Sequence, residues 1–248
     1  MSGHSKWSTI KRAKGAADAK RGQLFTKLAR EIAVAARQGL PDPEYNFRLR
    51  LAVERARAAS MPKENIERAL AKASGEGGGD NFDEITYEGY GPGGAAVMIQ
   101  AMTDNRNRTV GEVRAVLTRA GGSLGESGSV GWMFDHVGLI VIEPNGADPD
   151  EIALVAIDAG ASDVVAEEEG VEVYTEPTDL HAVQEAIRGA GYEIASAELT
   201  MKPKTTMTPE PDLAIKVIRL VEKLEDLDDV QTVHTNLEIT DEVMAQVG

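Results

Sequence analysis

The sequence predicts an α+β multidomain protein in which an N-terminal helical domain is followed by two α/β domains. Apolar residues recur every three or four positions through roughly the first 70 residues, as in amphipathic helices. A glycine-rich segment over residues 74–80 then has the composition of a flexible linker. Beyond it, strand-like and helical patterns alternate. The 248 residues and 42% hydrophobic content suffice for more than one hydrophobic core.

Three helices are predicted before the linker. The first covers about 16–37 and carries an apolar stripe along one side. The second covers about 43–59, with Asp42 as its N-cap and Pro43 in the first helical position. The third begins near Ser60.

The first helix carries four cations on the side away from its apolar stripe. At about 100° per residue, Lys20, Lys27, Arg30 and Arg37 fall within roughly a quarter-turn of each other. We therefore expect one face of this helix to pack and the other to present positive charge.

The chain after the linker has a repeating order of strands and helices. Residues 137–201 spell βαββαβ, which is the order of a ferredoxin-like domain. The elements on either side of this block cannot form a closed sheet alone, so we expect them to be two halves of one domain. The predicted domains are a basic helical domain at 1–78, a split α/β domain at 79–135 and 204–248, and an inserted ferredoxin-like domain at 136–203.

Positive charge is concentrated in the N-terminal part of the chain. Residues 1–72 hold 16 Lys+Arg against 7 Asp+Glu, whereas the remainder holds 10 against 34, within a net charge of −15. Lys and Arg neutralise phosphates, while an acidic surface repels them. We therefore expect one end of the chain to meet nucleic acid, either DNA or ribosomal RNA.

The candidate nucleic-acid contacts begin in the first residues of the chain. Cations there are suited to phosphate contacts. The single tryptophan among them either stacks on a base or anchors the arm to the helical core. The full set in this domain is Lys6, Trp7, Lys11, Arg12, Lys14, Lys20, Arg21, Lys27, Arg30 and Arg37.

A second candidate contact lies between a predicted strand and a predicted helix N-terminus. Arg106 and Arg108 alternate there with asparagines, and the free amides of a helix start favour anions. One interpretation is a second phosphate contact. The other is that both arginines bridge domains through the many carboxylates nearby.

Composition argues against several other classes of protein. With no cysteine, thiolate chemistry and cysteine-based metal sites are excluded, and the four histidines are far apart in sequence, so no metal or cofactor is expected. The acidic runs at 167–169 and 225–229 fit solvated turns better than an Mg²⁺ or acid–base site. No apolar run reaches membrane-spanning length, and cations follow the first residues instead of an apolar segment. We expect a cytoplasmic protein without enzymatic activity.

Several short segments resemble motifs of the YebC/PmpR family. The similarity spans essentially the whole chain, and the motifs occur in the family's order. They are Gly3–Trp7, Ser60–Lys63, Tyr87–Gly94, Thr103–Thr109, Gly128–Val130 with Trp132–Phe134, and Leu224–Gln231. The resemblance implies a helical N-terminal domain followed by two α/β domains, in agreement with the patterns above.

The resemblance also implies a function in gene expression. Members of the family are described as transcriptional regulators that bind DNA, while mitochondrial relatives act in translation at the ribosome, notably where proline-rich stretches stall it. The chain is thus expected to be a DNA-binding transcriptional regulator or, alternatively, a ribosome-associated translation factor. The Lys6 to Arg30 set is the first candidate contact and Arg106 with Arg108 the second. An enzyme would need a reactive pocket that the sequence does not show.

Overall fold

The chain folds into two compact units, each with its own sheet. The structure is a computed structural model and describes residues 18–73, 82–168 and 170–247. One unit comprises the described residues of 18–131 together with 212–235, and the other those of 132–211 together with 236–247.

Three helices pack together at the start of the first unit. They are α1 (Asp18–Gln38), α2 (Phe47–Ala58) and α3 (Lys63–Ala73). The predicted apolar stripe of α1 is buried, with Ile32 fully enclosed and Leu28 nearly so. It packs with Leu49 of α2 and Ile66 of α3 in one apolar cluster. Burial of side chains of this size contributes about 1.5–3 kcal/mol each.

The N-cap of α2 is Asn46, not Asp42, so the predicted start of this helix is wrong by about one turn. The Asn46 Oδ1 accepts a hydrogen bond from the Leu49 amide at 3.0 Å. Its Nδ2 donates to the carbonyls of Ala35 at 2.8 Å and Leu40 at 2.9 Å. Asparagine can donate and accept at once, whereas an ionised aspartate only accepts. One side chain therefore caps α2 and holds the end of α1.

The residue after the C-cap of α2, Ser60, has the left-handed backbone conformation and leads into α3. Ser60 has φ 59°. Its amide donates to the Arg57 carbonyl at 2.9 Å, and the Met61 amide donates to the Ala56 carbonyl at 2.9 Å. This pair of bonds is a Schellman ending, which usually places glycine at the left-handed residue. The helix that follows begins at Lys63, three residues later than the sequence pattern indicated.

The first unit also holds a four-stranded antiparallel sheet. Its strands are β1 (Asp83–Tyr90), β2 (Ala96–Thr103), β3 (Ser123–Leu124) and β8 (Val230–Thr235), and the helices of this part are α4 (Arg106–Arg119) and α7 (Pro211–Glu225). The spatial order of the strands is β3-β1-β2-β8. Strand β8 thus pairs directly with β2, although the two are far apart in sequence.

Both helices of this sheet lie on one of its faces. Gly89 lies in β1, and Gly91 directly follows the end of this strand. Because the two residues are two positions apart in an extended chain, a Cβ at either position would point to the same face of the sheet. A Cβ added at Gly89 would lie 3.2 Å from Leu117 of α4, and one added at Gly91 would lie 3.1 Å from Leu220 of α7. The glycines thus let both helices approach the strand closely.

The second unit holds the predicted βαββαβ segment. Its elements are β4 (Phe134–Ile142), α5 (Pro149–Asp158), β5 (Asp163–Glu167), β6 (Gly170–Thr175), α6 (Leu180–Gly189) and β7 (Ile194–Pro203), followed later by α8 (Asp241–Val247). The sheet is antiparallel throughout, with the order β5-β6-β4-β7. Ile152 of α5 and Ile187 of α6 are fully buried.

The predicted α+β class, with helices first and antiparallel sheets after them, is confirmed. The predicted domain boundaries and the insertion of one domain in another stay predictions. Within 18–73, 82–168 and 170–247, none of the helices combines the length and the apolar character that crossing a membrane requires.

Glu88 of β1 organises the loop that precedes β4. Its Oε1 accepts from the Gly128 amide at 2.8 Å, and its Oε2 accepts from the amides of Val130 at 2.7 Å and Gly131 at 2.6 Å. Burial alone would raise the pKa of Glu88, but the three amide donors outweigh it and lower the pKa below the usual glutamate value. The loop is therefore held by an ionised carboxylate.

We predict that Glu88→Gln loosens this loop. A glutamine has one acceptor oxygen, so it cannot receive all three amides. Hydrogen exchange of the Gly128, Val130 and Gly131 amides should accelerate at neutral pH. In the parent chain the same protection should persist above the usual glutamate pKa and be lost as pH falls through the lowered pKa of Glu88. The control is Glu126→Gln, an exposed glutamate of the same loop; equal acceleration in both variants would contradict the assignment.

Candidate nucleic-acid interface

Part of the predicted contact set lies outside the described residues. Lys6, Trp7, Lys11, Arg12 and Lys14 belong to this part, and their assignment to nucleic acid stays a prediction. Lys20 lies in α1, but its side chain is also outside the description. Arg21 is exposed in the first turn of α1, and Arg37 is half-buried in its last turn.

Lys27 and Arg30 do not present free charge, which corrects the expectation that this face of α1 is open. The Lys27 Nζ donates to the Glu225 carbonyl at the end of α7. The Arg30 Nη1 donates to the Asp228 carbonyl at 2.7 Å and to the Asp229 Oδ1 at 3.0 Å. The helical periodicity correctly turned these cations away from the bundle core. It could not predict that the acidic turn Glu225–Asp229, nearly 200 residues later in sequence, contacts this face of α1.

Asp229 is the centre of this contact. Its side chain is only 2% exposed, yet it accepts hydrogen bonds from several groups. Its Oδ2 receives Arg108 Nη2 at 2.6 Å, Thr109 Oγ1 at 2.7 Å and Thr103 Oγ1 at 3.0 Å. Arg30 occupies the other oxygen. Burial alone would raise the pKa of Asp229, but the hydrogen bonds from Arg108, Thr109 and Thr103 outweigh it and lower the pKa below its usual value.

Arg106 and Arg108 are both ion-paired. Arg108 bridges Asp229 and Asp104, the latter at 2.7 Å. The Arg106 Nε lies 2.8 Å from the Asp83 Oδ2, and this hydrogen bond is the main reason that the pKa of Asp83 is lowered. The structure shows ion pairing for both arginines, and all three partner carboxylates belong to the same unit as the arginines. Bridging between domains stays a prediction. A role for either arginine in binding phosphate stays a prediction.

A groove between α1 and α3 is lined by four cations. It has a volume of about 510 Å³, and we call it the α1–α3 groove. No carboxylate lines it within the described part of the chain. Its cations are Arg30, Arg37, Arg68 and Lys72, and its apolar floor includes Phe25, Met61 and Phe82.

Two of the four cations of the groove hold no internal partner. Arg68 and Lys72 are exposed, and neither forms an ion pair or a hydrogen bond through its side chain with any described residue. Arg30 differs, since besides its bonds to the acidic turn it stacks over the Phe82 ring at 5.0 Å from the centroid. A cationic surface of this kind attracts phosphates.

The sequence analysis missed Arg68 and Lys72 as site residues. The signal was present in the periodicity of α3, where Asn65, Arg68 and Lys72 recur at steps of three and four. They therefore share one face, beside the apolar stripe that holds Ile66 and Ala69. The sequence pattern was used only to locate the start of this helix near Ser60, and its polar face was not considered.

Two family models match most of the chain. The one described as the TACO1/YebC protein N-terminal domain matches residues 5–76, and the one described as the TACO1/YebC second and third domain matches residues 82–237. The chain belongs to the TACO1/YebC family. The resemblance noted from the motifs is thereby confirmed. Two of the motifs, Thr103–Thr109 and Leu224–Gln231, supply the groups that meet at Asp229 in this family member.

Curated relatives of this family member cover nearly its full length. A protein of Pelotomaculum thermopropionicum is 59% identical over 243 residues, covering 97% of this chain and 100% of its own. One of Roseiflexus castenholzii is 57% identical over 251 residues, covering 99% and 98%. Each is named "probable transcriptional regulatory protein". The crystal structure of a conserved hypothetical protein from Aquifex aeolicus is similar with a TM-score of 0.83 at 49% identity, covering 91% of this chain and 93% of that one.

We predict that Asp229→Asn destabilises the first unit. The change leaves two guanidinium groups without their shared carboxylate, which for a buried pair costs about 3–5 kcal/mol; because Arg108 is partly exposed, we expect about 3 kcal/mol. The free energy of unfolding is measured by urea denaturation. The stabilisation should be present above the pKa of an unfolded aspartate and be lost as pH falls through the lowered folded pKa.

The matched control for this prediction is Asp104→Asn. Asp104 also pairs with Arg108, but its side chain is 51% exposed. A solvated pair of this type contributes no more than about 1 kcal/mol. A loss for Asp229→Asn no larger than that of the control would show that the buried carboxylate does not stabilise the unit.

Proposed function

We propose that this chain is a nucleic-acid-binding regulator of gene expression, acting as a DNA-binding transcriptional regulator in the cytoplasm. The observation that carries the proposal is the α1–α3 groove, where four cations and no described carboxylate line one concave surface of a chain with net charge −15. Phosphate binding releases counterions and supplies most of the affinity of such a surface. The names of the two curated relatives support a role in regulation.

The α1–α3 groove is the first proposed contact with nucleic acid. The cations from Lys6 to Lys14 are further phosphate contacts in this proposal. Arg106 and Arg108 are given no direct part, since their charges are already paired. The proposal assigns no catalytic step and no cofactor to the chain.

We predict that Arg68→Gln with Lys72→Gln weakens binding to a DNA duplex and reduces its salt dependence. Each lost phosphate contact changes the slope of log K against log salt by about 0.9, so the double variant should have a slope shallower by about 1.8. Fluorescence anisotropy over 50–200 mM salt, values chosen to span the range in which such contacts weaken strongly, measures both quantities. The two side chains are exposed, so the fold should be unaffected.

The matched control is Lys216→Gln with Arg219→Gln on α7. It removes the same two charges from exposed positions of the same unit, away from the groove. An equal change of slope in both double variants would mean that general attraction, not the groove, binds the duplex. Footprinting then tests the transcriptional part of the proposal: protection of particular promoter sequences at moderate salt supports it, and equal binding to all duplexes contradicts it.

A second candidate function is a ribosome-associated translation factor that binds ribosomal RNA and relieves stalls at proline-rich stretches. The observation that favours it is the charge of the remaining chain, since residues 73–248 hold 34 acidic against 10 basic side chains. Such a surface repels a long duplex but suits a particle in which RNA and basic proteins alternate. Co-sedimentation with ribosomes in a sucrose gradient tests this candidate, and absence from every ribosomal fraction would contradict it.

A further inference from the structure

The floor of the α1–α3 groove is apolar, which phosphates alone do not require. Phe25, Met61 and Phe82 line it together with small side chains of both helices, among them Ala33 and Ala69. The bases of an intact duplex are stacked on each other and offer only their edges to a protein. An unpaired base exposes a flat apolar face, and proteins that bind single strands stack such faces on aromatic side chains beside a cationic track.

Two uncharged polar side chains also line the groove, and one of them, Thr26 of α1, donates to the Gly22 carbonyl of its own helix at 3.1 Å. Asn65 of α3 lines the groove and is half-buried. Its backbone amide donates to the Pro62 carbonyl at 2.9 Å, but its side-chain amide makes no hydrogen bond to any other described residue, although that group offers two donors and one acceptor. Asparagine pairs well with the polar edge of a base, adenine in particular, because one donor and one acceptor face it together. Asn65 is thus placed to bind the edge of a base whose face contacts the floor.

Cations lie beside Asn65, within the same groove, and are available to the phosphates that adjoin such a base. Arg68 and Lys72 follow Asn65 on the same face of α3, and Arg37 lines the groove from α1. The volume of about 510 Å³ falls within the range of sites that enclose a small organic group.

We infer that the α1–α3 groove binds an unpaired nucleotide of a single-stranded nucleic acid, with its base on the apolar floor beside Asn65 and the adjoining phosphates on Arg68 and Lys72. The inference rests on the part of the proposed function that both candidate functions share, which is the binding of nucleic acid by these cations, and it names the form of nucleic acid that they prefer. It applies to DNA and RNA alike, because both present the same base faces and phosphates.

The test compares four probes of equal length in one anisotropy assay with the full chain. They are a single-stranded RNA, a single-stranded DNA of the same sequence, the corresponding DNA duplex, and the DNA strand with abasic sites in its central positions. We expect the intact single strands to bind at least about tenfold more tightly than the duplex. The abasic strand keeps its phosphates, so its loss of affinity isolates the base contact; we expect a loss of about 5- to 100-fold, as when a base–aromatic contact is removed.

An Asn65→Leu variant separates base recognition from a structural effect. Leucine has a similar size, so it keeps the groove filled to the same extent while removing the amide. The variant should weaken binding of the intact strand and leave binding of the abasic strand unchanged. Equal weakening with both probes would overturn the role of Asn65.

The remaining outcomes distinguish the inference from the function on which it rests. If the duplex binds as tightly as the single strands, or the abasic strand as tightly as the intact one, the inference is overturned and the proposed function stands. If no probe binds at low salt, the proposed function fails as well. A preference between the RNA and DNA strands identifies the natural source of the nucleotide.

Discussion

The first unit depends on one buried carboxylate. Asp229 receives two guanidinium groups and two hydroxyl groups while it is almost wholly removed from water. An ionised carboxylate in this position would be strongly unfavourable without partners, and each partner would be unfavourable without the carboxylate. The arrangement therefore holds together or is lost as a whole. It joins α1, the start of α4 and the turn before β8, which are three parts of the chain far apart in sequence.

The same carboxylate shapes the candidate interface. Arg30 donates hydrogen bonds to the acidic turn and stacks on Phe82, so these partners hold its side chain in place at the edge of the α1–α3 groove. Arg68 and Lys72 belong to α3 and have no such partners among the residues described. The groove thus combines one cation held in place by its partners with two solvated cations.

The sequence was informative wherever a single periodicity decides the structure. The apolar stripe of α1, the βαββαβ order and the antiparallel α+β class follow from local patterns, and all are present. It was uninformative where two distant segments meet. Lys27 and Arg30 face away from their own bundle as expected, but only the folded chain shows that Glu225–Asp229 lies against them. Asn46 was missed for a different reason: its cap is defined by the carbonyls at the end of α1, which no rule about neighbouring residues includes.

The late position of Asp229 in the chain has a consequence for synthesis. All three helices of the bundle and strands β1 to β3 leave the translating ribosome long before residue 229 is added. Until then Arg30 and Arg108 lack their shared anion, and the edge of β2 that later receives β8 stays open. An open strand edge in an incomplete chain is a site for pairing with other chains. The nascent protein is therefore most exposed to misassembly just before its last strand emerges, and a product truncated ahead of that strand would carry the defect permanently.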